Sequence, residues 1–194
     1  MTDRRVVLAS TSPYRRALLE RLRLPFTTAA PDCDEQPLAG ESPAALVTRL
    51  ARAKAASVAA SAGDAIVIGS DQVAALGSSV LTKPGGPERA REQLAACSGR
   101  RVIFHTGLAV VDGASGGAWS ERVDYAVDFR ALAADEIERY IAAEQPYDCA
   151  GSIRSEGYAV TLFEAMHGDD PTALVGLPLI RLRARLAECG LALP

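Results

Sequence analysis

The amino-acid sequence predicts an α/β fold, and three stretches carry that prediction. Val6, Val7 and Leu8 form a short apolar run that breaks at Ser10-Thr11-Ser12 and resumes with Leu18, Leu19 and Leu22 at helical spacing. Ser42-Pro43 opens a second helical stretch, rich in alanine and leucine, that reaches about Ala62. Ala65-Ile66-Val67-Ile68 is a buried-strand pattern that stops at Gly69-Ser70-Asp71-Gln72. Apolar runs alternating with amphipathic helices read as a sheet covered by helices.

In the first turn, Ser12 is placed to cap a helix and Pro13 suits its first position, where a missing N–H costs nothing. A helix N-terminus at the end of a strand offers unpaired backbone N–H groups and the positive end of the helix dipole. Arg15 and Arg16 beside it can hold an anion bidentately, although an ordinary capped helix with two solvated arginines carries the same pattern. Leu24 to Thr28 reads as a second short strand. Pro31-Asp32-Cys33-Asp34-Glu35 is an acidic loop, which a solvated turn would equally explain. Along the helix from Ser42, residues Leu46, Val47, Leu50 and Ala53 face one side, and Lys54 lies mid-helix, where a lysine is ordinarily solvated.

Asp71 is expected at the carboxyl end of its strand, where α/β proteins gather ligands, next to a glycine that permits close approach. A plain strand-end turn favours the same residues. Thr82-Lys83-Pro84-Gly85-Gly86 is a loop in which the proline restricts the lysine's backbone. Pro87 to Ala96 reads as a helix ended by Gly99. Val102 to Val111 and Glu121 to Phe129 are strands of a hairpin turning at residues 112–117, with Val123, Tyr125, Val127 and Phe129 on one face and Asp124 and Asp128 on the other. Thr106-Gly107 reads as an interruption of the first of them, of the kind that marks a bulge. Ala133 to Ala143 is amphipathic, with Ile137, Tyr140 and Ile141 inward. Cys149 to Tyr158 is a glycine-punctuated polar loop suited to ligand recognition, Ala159 to Phe163 a strand, Gly168 to Pro171 a loop with helix-start chemistry, and Leu179 to Glu188 a last helix stopped at Gly190.

Composition sets the outer bounds. The chain has 194 residues, 48% hydrophobic and 23% charged, which fits one domain or two lobes on a shared sheet. A net charge of -3 lacks the basic footprint of a protein that binds nucleic-acid polymers, while leaving room for a small anion on a local basic cluster. No apolar run approaches the roughly 18 residues of a membrane span, and the first residues lead into a strand without a signal-peptide pattern. Cys33, Cys97, Cys149 and Cys189 are widely spaced and His105 and His167 far apart, so the expectation is a cytoplasmic protein with free thiols and no His-rich zinc site.

Several stretches taken together resemble the Maf-like nucleotide pyrophosphatases. They are Leu-Ala-Ser-Thr-Ser-Pro-Tyr-Arg-Arg (8–16), Asp34-Glu35, Ala-Arg-Ala-Lys-Ala (51–55), Ile-Gly-Ser-Asp-Gln-Val (68–73) and Lys83-Pro84, then His-Thr-Gly (105–107), Ala-Gly-Ser-Ile-Arg-Ser-Glu-Gly-Tyr (150–158) and Leu-Val-Gly-Leu-Pro (174–178). The likeness runs from about Arg5 to the last helix. It implies an inosine-triphosphatase-like α/β fold: one Maf-like domain over residues 1–194, with a long twisted mixed sheet flanked by helices and two lobes around a cleft. It also implies hydrolysis of a nucleoside triphosphate to monophosphate and pyrophosphate with a divalent metal, Mg²⁺ or Mn²⁺. Members are cytoplasmic and often dimeric, and some are connected with restraint of septum formation and cell division. The alternative function is therefore that of a nucleotide-responsive binding protein.

The resemblance extends to one branch. Tyr14, Gln72 and Glu156 stand where the common branch, active on dTTP and UTP, carries Arg, Thr and Gln, and the chain is similar to the branch that hydrolyses 7-methyl-GTP. Guanine presents N1–H and N2–H₂ donors on one edge, which a carboxylate at Glu156 can accept together. A 7-methylated guanine is cationic, so the aromatic face of Tyr14 would gain roughly 0.5–2 kcal/mol of cation–π attraction. The same resemblance carries Asp71 over as the proton acceptor; Ser10, Ser12, Arg15, Lys54 and Lys83 are expected to hold the phosphates, and Glu35 with Asp71 the metal. Arg16 stays outside this set because the common branch varies there.

Overall fold

Residues 4–194 are described by a computed structural model. Strand β1 (Val6–Ala9) pairs in parallel with both β2 (Thr27–Ala29) and β3 (Ile66–Leu76), with Ala9 level with Ala29 on one side and Gly69 on the other. The chain leaves β1 through Ser10–Ser12 into α1 (Pro13–Glu20), whose N-cap Ser12 accepts the Arg15 amide on its hydroxyl. Helix α2 (Pro43–Ala62) starts in the same manner, with the Ser42 hydroxyl accepting the Ala45 amide at 3.2 Å. Then follow β4 (Ser79–Leu81), α3 (Pro87–Cys97), β5 (Arg101–Asp112), β6 (Gly117–Phe129), α4 (Ala134–Glu144), β7 (Phe163–His167) and α5 (Leu179–Glu188). The seven strands make one mixed sheet in the order β2-β1-β3-β5-β6-β7, with β4 antiparallel to β3.

The chain divides into two compact units. The first holds the residues up to Asp71 together with Thr106–Val123 and Asp170–Pro194, and the second holds Gln72–His105 and Asp124–Asp169. In the first unit, Leu8, Leu18, Leu19, Ile66, Ile68, Leu108, Leu182 and Leu186 make one apolar cluster. Under α2 the cluster is built of smaller side chains, Ala9, Ala51, Ala55, Val58, Val67 and Ala109. Two glycines let the helix come this close. A Cβ at Gly69 would lie 2.3 Å from the Ala51 carbonyl oxygen, and one at Gly107 would lie 2.1 Å from that of Val47. Gly107→Ala is therefore expected to destabilise the protein by about 2–4 kcal/mol, because backbone cannot yield as a side chain can. Urea unfolding checks this, and an unchanged midpoint would contradict it. In the second unit Leu94, Phe104, Tyr125, Val127, Phe129, Ile137, Tyr140, Ile141 and Leu162 are buried, and Phe129 meets Phe163 edge-on with ring centroids 5.3 Å apart.

Four expectations are corrected. β3 does not end at Gly69 but continues to Leu76, so Asp71 stands inside a strand. The strand continues because Gly69 answers a packing demand from α2, and because Ala74 to Leu76 pair with β4. Likewise β5 runs through Thr106-Gly107: the glycine admits α2, and the buried Thr106 hydroxyl donates to the Ala173 carbonyl at 2.8 Å. The stretch Tyr158–Leu162 is a 3-10 helix, with the strand beginning only at Phe163. Thr161 bonds its hydroxyl back to the Tyr158 carbonyl at 2.9 Å, a local bond that competes with a strand ladder. Lastly, the buried face of α2 comprises Leu46, Val47, Leu50, Ala51, Lys54, Ala55 and Val58, so Lys54 is inside and Ala53 at the margin.

Candidate active site

The turn after β1 is tied by its own hydroxyls. Ser10 is buried, and its Oγ accepts the Ser12 amide at 3.1 Å, which fixes the chain as it enters α1. Arg15, one turn into that helix, donates from Nε to the Gly176 carbonyl at 2.9 Å. The same carbonyl accepts from Ser70, whose fully buried hydroxyl is shared with the Gly107 carbonyl, both at 2.8 Å. Arg15 and the strand carrying Asp71 are thus braced on one oxygen. Burial lowers the Arg15 guanidinium from its ordinary pKa, and the carboxylates of Asp71 and Glu35 pull the other way.

Lys54 is the centre of the first unit's polar cluster. Its Nζ donates at 2.7 Å to Asp71 Oδ1 and at 2.7 Å to Glu35 Oε2. The Lys54 and Asp71 side chains are 7% and 10% exposed, whereas Glu35 is 57% exposed, so the Lys54–Asp71 pair is the desolvated one. A lysine enters a core only where its charge is matched. Glu35 reaches it from the acidic loop, which Arg49 anchors to α2 by donating to the Gln36 carbonyl at 2.9 Å and to both oxygens of Glu41 at 2.7 and 2.8 Å. Those bonds hold the Glu41 carboxyl down at about 2. In the same loop, burial pushes the Cys33 thiol up, with Lys54 opposing.

Of the residues singled out in the sequence, Ser10, Ser12, Tyr14, Arg15, Glu35, Lys54 and Asp71 belong to the first unit. Gln72, Lys83 and Glu156 belong to the second. Tyr14 is half-buried on α1, and Gln72 is half-buried and follows Asp71 along β3. Lys83 is exposed ahead of the buried Pro84. Glu156 is exposed, and its Oε2 accepts from the Ser155 hydroxyl at 2.9 Å.

Sequence reasoning missed Ser70, Arg49 and Asp170. Asp170 is 1% exposed and accepts the amides of Thr172 at 3.0 Å and Ile180 at 2.8 Å, which shapes the loop that presents the Gly176 carbonyl. Asp170-Pro171 gave a helix-start signal, but nothing in the sequence tied it to Arg15. Among the described residues, no group of three or more His, Cys, Asp or Glu side chains is arranged around a metal. Two carboxylates nonetheless converge on one ammonium, a point where positive charge is already favoured. A hard divalent ion that takes one or two carboxylates plus phosphate oxygens needs no more from the protein. The donor set fits such an ion.

The family of Maf-like proteins matches residues 5–189. The chain belongs to this family. A 7-methyl-GTP pyrophosphatase of Pseudomonas putida is 54% identical over 189 residues, which are 97% of this chain and 98% of its own. The protein of the same name from Alkalilimnicola ehrlichii is 56% identical over 185 residues, 95% of this chain and 93% of its own. Among solved structures, the Ham1 protein of Staphylococcus aureus aligns with a TM-score of 0.46 and 16% identity over 65% of this chain and 72% of that one. The fold of this Maf protein rests on its own strand order rather than on that partial likeness. No helix among its described residues is long and apolar enough to cross a membrane.

Proposed function

We propose that this Maf protein is a nucleoside triphosphate pyrophosphatase that hydrolyses 7-methyl-GTP to 7-methyl-GMP and pyrophosphate. The observation that carries the catalytic reading is the desolvated Lys54–Asp71 pair, set in the same unit as the Ser10–Ser12 turn and Arg15. Relatives bearing a pyrophosphatase's name support hydrolysis over the alternative of a nucleotide-responsive binding protein.

The chemistry asks for a water at the α-phosphorus, a base for its proton and positive charge along the phosphates. Asp71 is the base. Lys54 donates to its Oδ1 and fixes the carboxylate in place, and Oδ2 takes the water's proton. The N-terminus of α1, the hydroxyls of Ser10 and Ser12, and Arg15 receive phosphate oxygens, with Lys54 and Lys83 adding charge. Asp71 and Glu35 would hold a divalent cation, Mg²⁺ or Mn²⁺, which when bound would supply further charge neutralisation and acidify water. Glu156, oriented by the Ser155 hydroxyl, accepts the N1–H and N2–H₂ donors of guanine, Tyr14 offers its ring to the cationic base, and Gln72, which follows Asp71 in sequence, is the third residue of specificity.

Product analysis tests the reaction. The expected products are 7-methyl-GMP and pyrophosphate, and 7-methyl-GDP with phosphate would overturn attack at the α-phosphorus. Glu156→Gln replaces one acceptor with a donor and is expected to cut the preference for 7-methyl-GTP over UTP by about tenfold or more. An unchanged ratio of kcat/KM values would remove Glu156 from base recognition.

A further inference from the structure

Glu156 lies on a loop whose two sides are gripped by one carboxylate from α4. Glu144 Oε1 accepts from Arg154 Nη1 at 3.0 Å, and Oε2 accepts the Tyr158 amide at 2.7 Å. The Glu144 side chain is 13% exposed, so the grip is shielded from water. Gly157 passes directly over it: a Cβ there would stand 2.7 Å from both carboxylate oxygens. One turn earlier on α4, the buried Tyr140 hydroxyl donates to the Ser152 carbonyl at 3.0 Å and accepts the Arg154 amide at 3.2 Å. The Ser152 hydroxyl donates to Gln93 Oε1 at 2.6 Å, and Gln93 Nε2 donates to the Thr82 carbonyl at 2.9 Å, next to Lys83. The loop is therefore fixed at residues 152, 154 and 158 to rigid helices, while the Glu156 carboxylate between them is exposed.

We propose that Glu144 is a specificity-positioning residue, which aims the Glu156 carboxylate at the donor edge of the base without touching the nucleotide. The proposal rests on the reading of Glu156 as the base-recognising residue. Accepting two donors at once demands a fixed carboxylate plane, and a loop freed at Arg154 and Tyr158 would lose one bond or the other. Phosphate handling, assigned to other residues, would be untouched.

Steady-state kinetics with 7-methyl-GTP and UTP test this on the wild type, Glu144→Ala, Glu144→Gln, Gly157→Ala and Glu156→Gln. Glu144→Ala is expected to raise KM for 7-methyl-GTP about tenfold, with kcat within about twofold and the KM for UTP unchanged. Glu144→Gln keeps one carbonyl acceptor in place and is expected to recover to within about threefold of the wild type. Gly157→Ala displaces the carboxylate with the residue itself intact and gives the same KM-only change. It also decides the matter if Glu144→Ala does not fold. Equal losses on both nucleotides, or a kcat that falls with KM unchanged, would mark a merely structural role and overturn the proposal. If Glu156→Gln abolishes the preference while Glu144→Ala and Gly157→Ala keep it, the base reading stands and the positioning role fails. If Glu156→Gln leaves the preference intact, the base reading fails and this proposal falls with it.

Discussion

Asp71→Asn is expected to lower kcat by about 10²–10⁴-fold, the usual worth of a positioned general base. The substitution keeps the size of the side chain, and its carbonyl oxygen can still accept from Lys54, now 2.7 Å from Oδ1. What disappears is the negative charge and the ability to take a proton, so nucleotide affinity is expected to stay within about fivefold while turnover collapses. Pyrophosphate release at saturating nucleotide and excess Mg²⁺, set beside calorimetric binding of the nucleotide, separates the two. Turnover within about tenfold of the wild type would mean that another group takes the proton, and the assignment of Asp71 would be withdrawn.

Lys54→Met should harm both stability and activity. A thioether of similar length fills the space but leaves the Asp71 carboxylate, 10% exposed, without its counterion. Removing one partner of a buried ion pair costs roughly 3–5 kcal/mol, whereas replacing both is often neutral. Glu35, 57% exposed, adds little to that figure because solvent screens it. The double variant Lys54→Met with Asp71→Asn is accordingly expected to regain most of the lost stability and none of the activity. Denaturant unfolding of both single variants and the double closes the cycle. If Lys54→Met costs less than about 1 kcal/mol, the pair is not the desolvated centre argued above.

The sequence made the first unit legible where local chemistry dictated structure. Ser12-Pro13 and Ser42-Pro43 cap helices as their composition requires, and both serine hydroxyls accept the expected amides. Patterning also read the alternation of Val123, Tyr125, Val127 and Phe129, all buried. It failed where a residue answers a distant partner. Gly69 and Gly107 look like breaks in strands, yet both exist because the backbone of α2 lies against them. Lys54 looks like an ordinary helix lysine until Asp71 and Glu35, 17 and 19 residues away in the chain, are brought to it. Glu144 carried no signal at all, being one carboxylate among several near the end of an amphipathic helix. Its role is visible only from the loop that folds back onto it.

The most direct test of the account is pyrophosphate release by the wild-type protein, with Mg²⁺ or Mn²⁺, across 7-methyl-GTP, GTP, dTTP, UTP and CTP. The highest kcat/KM is expected for 7-methyl-GTP, with GTP behind it for want of the positive charge on the ring. A preference for dTTP or UTP would keep the family and contradict the roles given to Tyr14, Gln72 and Glu156. Tight binding of nucleotide without turnover of any of the five would contradict the enzyme itself.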